Sequence, residues 1–341
     1  GSAVTDFYLD FSDGSSEGVD IAVEGFDDSY LTLVEATEVE LTLNGVNELD
    51  IYDDDYSVTN LVLDSHHPFA EGDPNFVFIR STLELLETIT VVGDADLVIK
   101  SDETREDDYP DLTIDASLAT GDIEFVTEYG DDSIVSVTTG IGADFVLFDG
   151  ENASQEFYDG LEINVGEGDD IVQLDSDSGA SFNDVSITLG DGQDIVDFSL
   201  AEFTTGSILT VTDFELGADG DILFWGANSP TEIAGSGDVI SSTAGVLSYV
   251  TDPNATGDIT NVYDAADVAA ALQSNSITTD TAAADGSYLL VGDGTDAAIY
   301  WLDLDTDGVI SSAEMTLTVE LPGVGDLHAV ASSNFEDYSG T

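Results

Sequence analysis

Between residues 140 and 196 one phrase is written three times: Gly140-Ile141-Gly142-Ala143-Asp144-Phe145-Val146, Gly166-Glu167-Gly168-Asp169-Asp170-Ile171-Val172 and Gly190-Asp191-Gly192-Gln193-Asp194-Ile195-Val196. Gly121-Asp122-Ile123 is a shorter copy upstream, and the aspartates at 122, 144, 170 and 194 step by 22, 26 and 24 residues. A looser series runs between them, through Gly130-Asp131-Asp132-Ser133-Ile134, Asp159-Gly160-Leu161, Asn183-Asp184-Val185 and Thr205-Gly206-Ser207. Two turn series offset by half a period predict a flattened solenoid. Each rung gives one strand to each face, and the turns stack along two edges.

Upstream, short runs rich in Val, Ile, Leu and Thr recur between Asn, Gly and Asp turns: Tyr30-Val34, Glu38-Leu43, Glu48-Tyr52, Val58-Leu63, Phe76-Arg80, Leu83-Val92, Asp96-Lys100, Leu112-Asp115 and Ile123-Val126. No helical period interrupts them, so the solenoid is expected to start well before the glycine-rich repeats. After Trp225 the composition turns Gly/Ser/Thr-rich and loop-like to 262, with short strands such as Val246-Val250. One helix is expected over Asp264 to Gln273 with Asp264 as its N-cap, and strands return at Ser287-Val291, Ala298-Leu302 and Leu317-Leu321. The expected class is all-β: a parallel β-helix or β-roll solenoid followed by a small, mostly-β C-terminal domain with one short helix. Four segments follow: an N-terminal cap over 1–27, a solenoid without calcium repeats over 28–120, a repeat-bearing solenoid over 121–225 and a capping domain over 226–341.

The charge is extreme. With 73 Asp+Glu against 3 Lys+Arg in 341 residues, the formal net charge is −70. Phosphate binding needs clustered Lys/Arg, which excludes nucleic acid and anionic membrane surfaces as partners. An apolar content of 42% with 16 Phe, 12 Tyr and 2 Trp supplies core material, so disorder is not expected. Self-repulsion opposes compaction, however, and salt or bound cations must offset it. Cysteine is absent, which removes disulfides and thiolate metal sites, and no apolar run is long enough to insert in a membrane. Gly1-Ser2 and the lack of an initiator Met read as a piece of a longer protein.

The sharpest motif is Asp303-Leu304-Asp305-Thr306-Asp307-Gly308-Val309-Ile310-Ser311-Ser312-Ala313-Glu314. It has carboxylates at loop positions 1, 3 and 5, Gly at 6, an apolar residue at 8 and Glu at 12, the spacing of a twelve-residue calcium loop. Asp303, Asp305 and Asp307 would each give one oxygen, Val309 its carbonyl, Ser311 a water-mediated contact and Glu314 both oxygens. The flanks read as strands, which predicts a calcium loop between strands and argues against a sensor that opens a helix pair. In the solenoid, hard oxygens from Asp122, Asp132, Asp144, Asp170, Asp194, Asp219 and Asp221 also suit calcium. Gly142, Gly168 and Gly192 would allow turn carbonyls to face the ion. Stacking sets Asp144, Asp170 and Asp194 along one edge, about 4.8 Å apart, close enough to repel unless a cation intervenes.

Two further clusters are read as structural. His66-His67 with Glu71 and Asp73 reads as an exposed loop, and His328 as structural. Arg80, Lys100 and Arg105 read as local charge relief through Glu84, Glu87 or Glu106. The competing reading of those cations is a β-helix lyase acting on acidic polysaccharide.

The phrase Gly-x-Gly-x-Asp followed by an apolar residue resembles the calcium-binding nonapeptide repeat of RTX proteins. Tandem nonapeptides would give a rung of about 18 residues, whereas the period here is nearer 24, and Thr139, Val165 and Leu189 stand where that repeat has its first Gly. Leu112-Thr113-Ile114-Asp115-Ala116-Ser117-Leu118-Ala119-Thr120-Gly121 is similar to a phrase of RTX-type surface-layer proteins. The run from Val211 to Leu223 resembles the segment that closes many RTX solenoids. The resemblance implies a bacterial surface-layer, adhesin or biofilm-matrix protein, not an enzyme, exported by type I secretion to the cell surface. Several calcium ions would stabilise its fold, and further copies of the chain or a surface polysaccharide would be its partners. The alternative it implies is the secretion and folding module of an exported enzyme. No His-Glu-x-x-His or phosphate-binding loop occurs in the chain.

Overall fold

The structure, a computed structural model, describes residues 5–10, 19–24, 29–46, 48–66, 74–80, 82–101, 110–127, 133–149, 157–176, 181–201, 207–224, 228–233, 239–240, 246–250, 259–279, 284–304, 309–330 and 334–336. The chain forms two compact units, residues 1–183 and 184–341.

The first unit is a β-solenoid. Its strands in chain order are Thr5–Asp10 (β1), Val19–Glu24 (β2), Ser29–Val34 (β3), Glu38–Asn44 (β4), Leu49–Asp53 (β5) and Asn60–His66 (β6). Asn75–Ile79 (β7), Thr88–Gly93 (β8), Leu97–Ser101 (β9), Leu112–Ala119 (β10), Ile123–Thr127 (β11) and Ile134–Thr138 (β12) follow. Phe145–Asp149 (β13), Phe157–Asp159 (β14), Glu162–Asn164 (β15), Ile171–Asp175 (β16) and Ser181–Asn183 (β17) complete it.

The odd-numbered strands to β13, then β16, form one parallel sheet, and the even-numbered strands to β12, then β15, form the other. Successive strands therefore alternate between two faces, as the two offset turn series require. Strands such as Ser29–Val34, Asn60–His66 and Asn75–Ile79 alternate buried and half-exposed residues, and Leu41, Leu63, Ile51, Ile99 and Val146 are buried between the two faces. Strand spacing is constant but rung length is not. Leu49 pairs with Val77, 28 residues on, while Phe125 pairs with Val146, 21 on, the difference being taken up in turns. Rungs near the end of the unit carry a third short pair, β14 with β17. It stacks Tyr158 on Phe182 at 5.1 Å and sets Phe148 edge-on to Tyr158 at 5.2 Å.

The second unit holds Val185–Thr188 (β18), Ile195–Leu200 (β19), Leu209–Thr212 (β20), Ile222–Phe224 (β21), Asn228–Ile233 (β22), Val239–Ile240 (β23) and Val246–Val250 (β24). The helix Ala265–Ser274 (α1) comes next, then Thr278–Thr279 (β25), Ala284–Gly292 (β26), Ala297–Leu304 (β27), Met315–Leu321 (β28) and Phe335–Glu336 (β29). Parallel pairs β18–β20 and β19–β21 continue the rung pattern. The sheet then turns antiparallel through β28, β27 and β26. Helix α1 begins as expected: the Asp264 carboxylate accepts from the Ala266 N–H at 2.9 Å. Its Val268 and Leu272 pack under Tyr300, Leu302 and Ile310.

Two expectations differ from the structure. Residues 1–27 include β1 and β2, which pair in parallel with β3 and β4 as ordinary rungs. The run Leu83-Val92 starts its strand only at Thr88, because Leu83 and Leu86 donate to the carbonyls of Arg80 and Leu83 and bury their side chains in a tight turn. Within 226–262 the short strand expected at Val246–Val250 is β24, and β22 and β23 accompany it. Pro230 is accommodated in β22 because that strand lies at the sheet edge and its register shifts between Asn228 and Thr231.

Candidate functional site

The glycine-rich turns stack backbone on backbone. A Cβ on Gly168 would lie 1.7 Å from the Gly142 carbonyl oxygen, and one on Gly166 would lie 2.1 Å from that of Gly140. Gly168 has φ +143°, so there both the space and the backbone demand glycine.

Against this stack the repeat aspartates turn inward. Asp144, Asp170, Asp194 and Asp221 are each 1% exposed. The Asp170 carboxylate accepts from the N–H of Asp144, its counterpart on the preceding rung, at 2.7 Å, and the Asp144 carbonyl accepts from Ile171 N–H at 2.9 Å. In the second unit Asp221 repeats this bond pair with Asp194, at 3.0 Å and 2.7 Å. The second oxygen of Asp221 takes the Glu215 N–H at 2.7 Å. Asp144 accepts from Ile123 N–H at 2.7 Å and from Gly140 N–H at 3.3 Å. Burial pushes the carboxyls of Asp144 and Asp221 up from the ordinary range, although these amide bonds pull the other way. The carboxylates of Asp144, Asp170 and Asp221 are thus held by backbone N–H groups.

Two asparagines outside the repeated phrases belong to the same scheme. Buried Asn75 accepts from Val46 N–H at 2.7 Å while the Val46 carbonyl accepts from Phe76 N–H at 2.9 Å, the bond pair of Asp170 with no charge. At the other end of the chain, buried Asn334 accepts from Gly217 N–H at 3.0 Å and donates to the Asp221 carbonyl at 2.7 Å, anchoring β29 on β21. Neither lies in a glycine phrase, so only the fold reveals them. Asp122 behaves differently: Glu124 pairs with Phe145, so the register is one residue out and Asp122 is exposed, accepting from Ala143 N–H at 2.8 Å. Asp219 is exposed in the turn before Asp221, and Asp132 lies outside the described residues.

The twelve-residue run joins β27 to β28, two antiparallel strands, as the flanking pattern predicted. Asp305 and Asp307 lie outside the described residues, as does Gly308. Asp303 and Val309 are exposed, whereas Ile310, the apolar eighth position, is fully buried in the core of the unit. The Gln273 amide donates to the Ile310 carbonyl at 2.6 Å, tying the run to α1. Ser311 donates its N–H and its hydroxyl to Glu314 Oε2 at 2.8 Å and 2.7 Å, a capping box that folds the twelfth-position carboxylate back over the end of the run. Among the described residues no group of three or more His, Asp or Glu is disposed to hold a metal ion.

His66 bridges two rungs, with Nε2 2.9 Å from Asp64 and Nδ1 2.9 Å from Asp94, and the Asp94 bond raises its pKa. His67, Glu71, Asp73 and Arg105 lie outside the described residues. Arg80 ion-pairs with Asp50 on the neighbouring rung, a partner 30 residues away that sequence proximity did not suggest. His328 sits beside Asp326 at 3.2 Å.

By fold and site the chain is a β-solenoid, parallel throughout its first unit, whose rungs are locked by buried side-chain acceptors. No protein-family model, no curated protein and no solved structure matches it.

Proposed function

We propose that the chain is a calcium-conditional structural protein that acts outside the cell, its fold stabilised by external calcium after export. The observation that carries this is the 303–314 run: the acidic spacing, the buried Ile310 anchor and the capped Glu314 are what a calcium loop between strands needs. Asp303, Asp305, Asp307, the Val309 carbonyl and Glu314 would hold the ion, and calcium would supply the positive charge that brings these oxygens together. The net charge of −70 supports the same reading by linkage, because a cation bound only to the folded chain stabilises it against self-repulsion. In low calcium such a chain stays extended and exportable; in a calcium-rich exterior it compacts into a scaffold for a surface layer, adhesin or matrix.

The buried Asp144, Asp170, Asp194 and Asp221 serve rung-to-rung bonding in this scheme, and the ion belongs to the loop. Calorimetric titration with calcium tests the proposal there. One saturable site lost in Glu314→Gln is expected, and an unchanged titration in that variant overturns the assignment.

A further inference from the structure

The outer face of the first unit's odd-strand sheet carries a cluster that calcium leaves unused. Register places Tyr30, Asp50, Phe78 and Lys100 in one row across β3, β5, β7 and β9. Tyr52 and Arg80 flank that row on one side and Phe76 on the other. The rings of Tyr30 and Tyr52 lie 5.9 Å apart and those of Phe76 and Phe78 4.9 Å apart. The Arg80 guanidinium sits 4.5 Å over Phe78 and the Lys100 ammonium 5.7 Å from the Phe76 centroid. Asp50, only 1% exposed, is paired with Arg80 beneath the rings. The four rings are half-exposed. Both Lys/Arg residues among the described residues are therefore on this one face of a chain with 73 acidic residues.

From this cluster we infer that the face binds a neutral glycan. The charge distribution selects the class of partner. An anionic polymer meets a net charge of −70, a second copy brings the same charge to the contact, and a cationic partner has stronger sites on the acidic remainder. A neutral polyol meets none of these penalties. Its apolar C–H faces stack on aromatic rings, and its hydroxyls find donors in Arg80, held in place by buried Asp50, and in Lys100. One sugar unit of an extended chain is about as long as the strand spacing, roughly 4.8 Å, so rings on successive rungs meet successive units. This inference does not rest on the calcium reading.

The test is calorimetric titration of the full chain, folded in calcium, with cellohexaose, laminarihexaose and mannohexaose, and with a polygalacturonate hexamer as the anionic comparison. Saturable binding of at least one neutral hexasaccharide is expected, with the anionic one weaker. Tyr52→Ala and Phe78→Ala, each checked for retained β-structure by circular dichroism, should weaken that binding about three- to tenfold. Lys100→Gln, a milder change on the same row, should weaken it as well. Binding by none of the neutral sugars, stronger binding of the anionic hexamer, or affinity unmoved by all three variants overturns the inference. So does sedimentation velocity showing that the face instead pairs two copies of the chain.

Discussion

Replacing Asp144 by alanine separates a rung-bonding carboxylate from one that serves only a cation. The side chain is 1% exposed and accepts two backbone N–H groups, from Ile123 at 2.7 Å and Gly140 at 3.3 Å. Leaving a buried donor without its acceptor costs about 1–3 kcal/mol each, so the gross loss is roughly 2–6 kcal/mol. Removing a carboxylate that burial already disfavours returns part of this, which leaves a net destabilisation of about 2–4 kcal/mol. Asp144→Asn keeps one acceptor and sheds the charge, as Asn75 does three rungs earlier, so its loss should be about 1 kcal/mol or less. The assay is urea unfolding followed by circular dichroism in excess chelator, at a salt concentration where the wild-type chain is folded. Without calcium, a carboxylate that only held an ion would be a liability, and alanine would be neutral or stabilising. Alanine within about 0.5 kcal/mol of wild type in chelator would therefore refute the bonding role.

Other perturbations probe neighbouring parts of the fold. Gly168→Ala places a Cβ 1.7 Å from the Gly142 carbonyl oxygen at φ +143° and should lower stability by about 3 kcal/mol or more, read from the same unfolding curves. Asn334→Ala removes the bonds to Gly217 and Asp221 and should release the β29 segment, seen as loss of hydrogen-exchange protection at Gly217 with β1–β16 unaffected. Asp144 and Asp221 have raised folded pKa values, so the folded chain keeps protons that the unfolded chain releases near 3.8. Their contribution is complete below that value and is lost as pH rises through the folded values. Asp55, lowered by its bonds from Glu35 N–H and Ser57, acts in the opposite sense but is largely solvated. In chelator the melting temperature should rise as pH falls from 7 toward the ordinary carboxylate range, and a steady fall on that approach would contradict this balance.

Much of this fold is legible in the sequence because a parallel solenoid repeats its local rules. Strands such as 29–34, 38–44 and 97–101 lie where the apolar alternation puts them, and two interleaved turn series imply two faces. Helix α1 is equally local, set by Asp264 and an Ala-rich face. What the sequence hides is whatever depends on register. Asp122 and Asp144 sit in similar phrases, yet a one-residue slip turns the first outward and the second inward. Asn75 and Asn334 are buried acceptors of backbone N–H groups from unrelated local contexts, and the partner of Arg80 is 30 residues back because adjacency here means the next rung. The aromatic and cationic row on β3 to β9 is invisible for the same reason, since its members are about 20 to 28 residues apart in the chain.

Calcium-conditional folding is tested most directly by thermal melts of the intact chain followed by circular dichroism at fixed ionic strength, in millimolar calcium and in excess chelator. The expected result is a cooperative β-sheet melt in calcium and a large drop in melting temperature, or loss of the folded signal, in chelator. Magnesium at the same concentration should restore little of it, because the looser oxygen cage of a twelve-residue loop suits the larger ion. Superimposable melts in calcium and chelator would contradict calcium dependence and leave salt alone to offset the charge of −70.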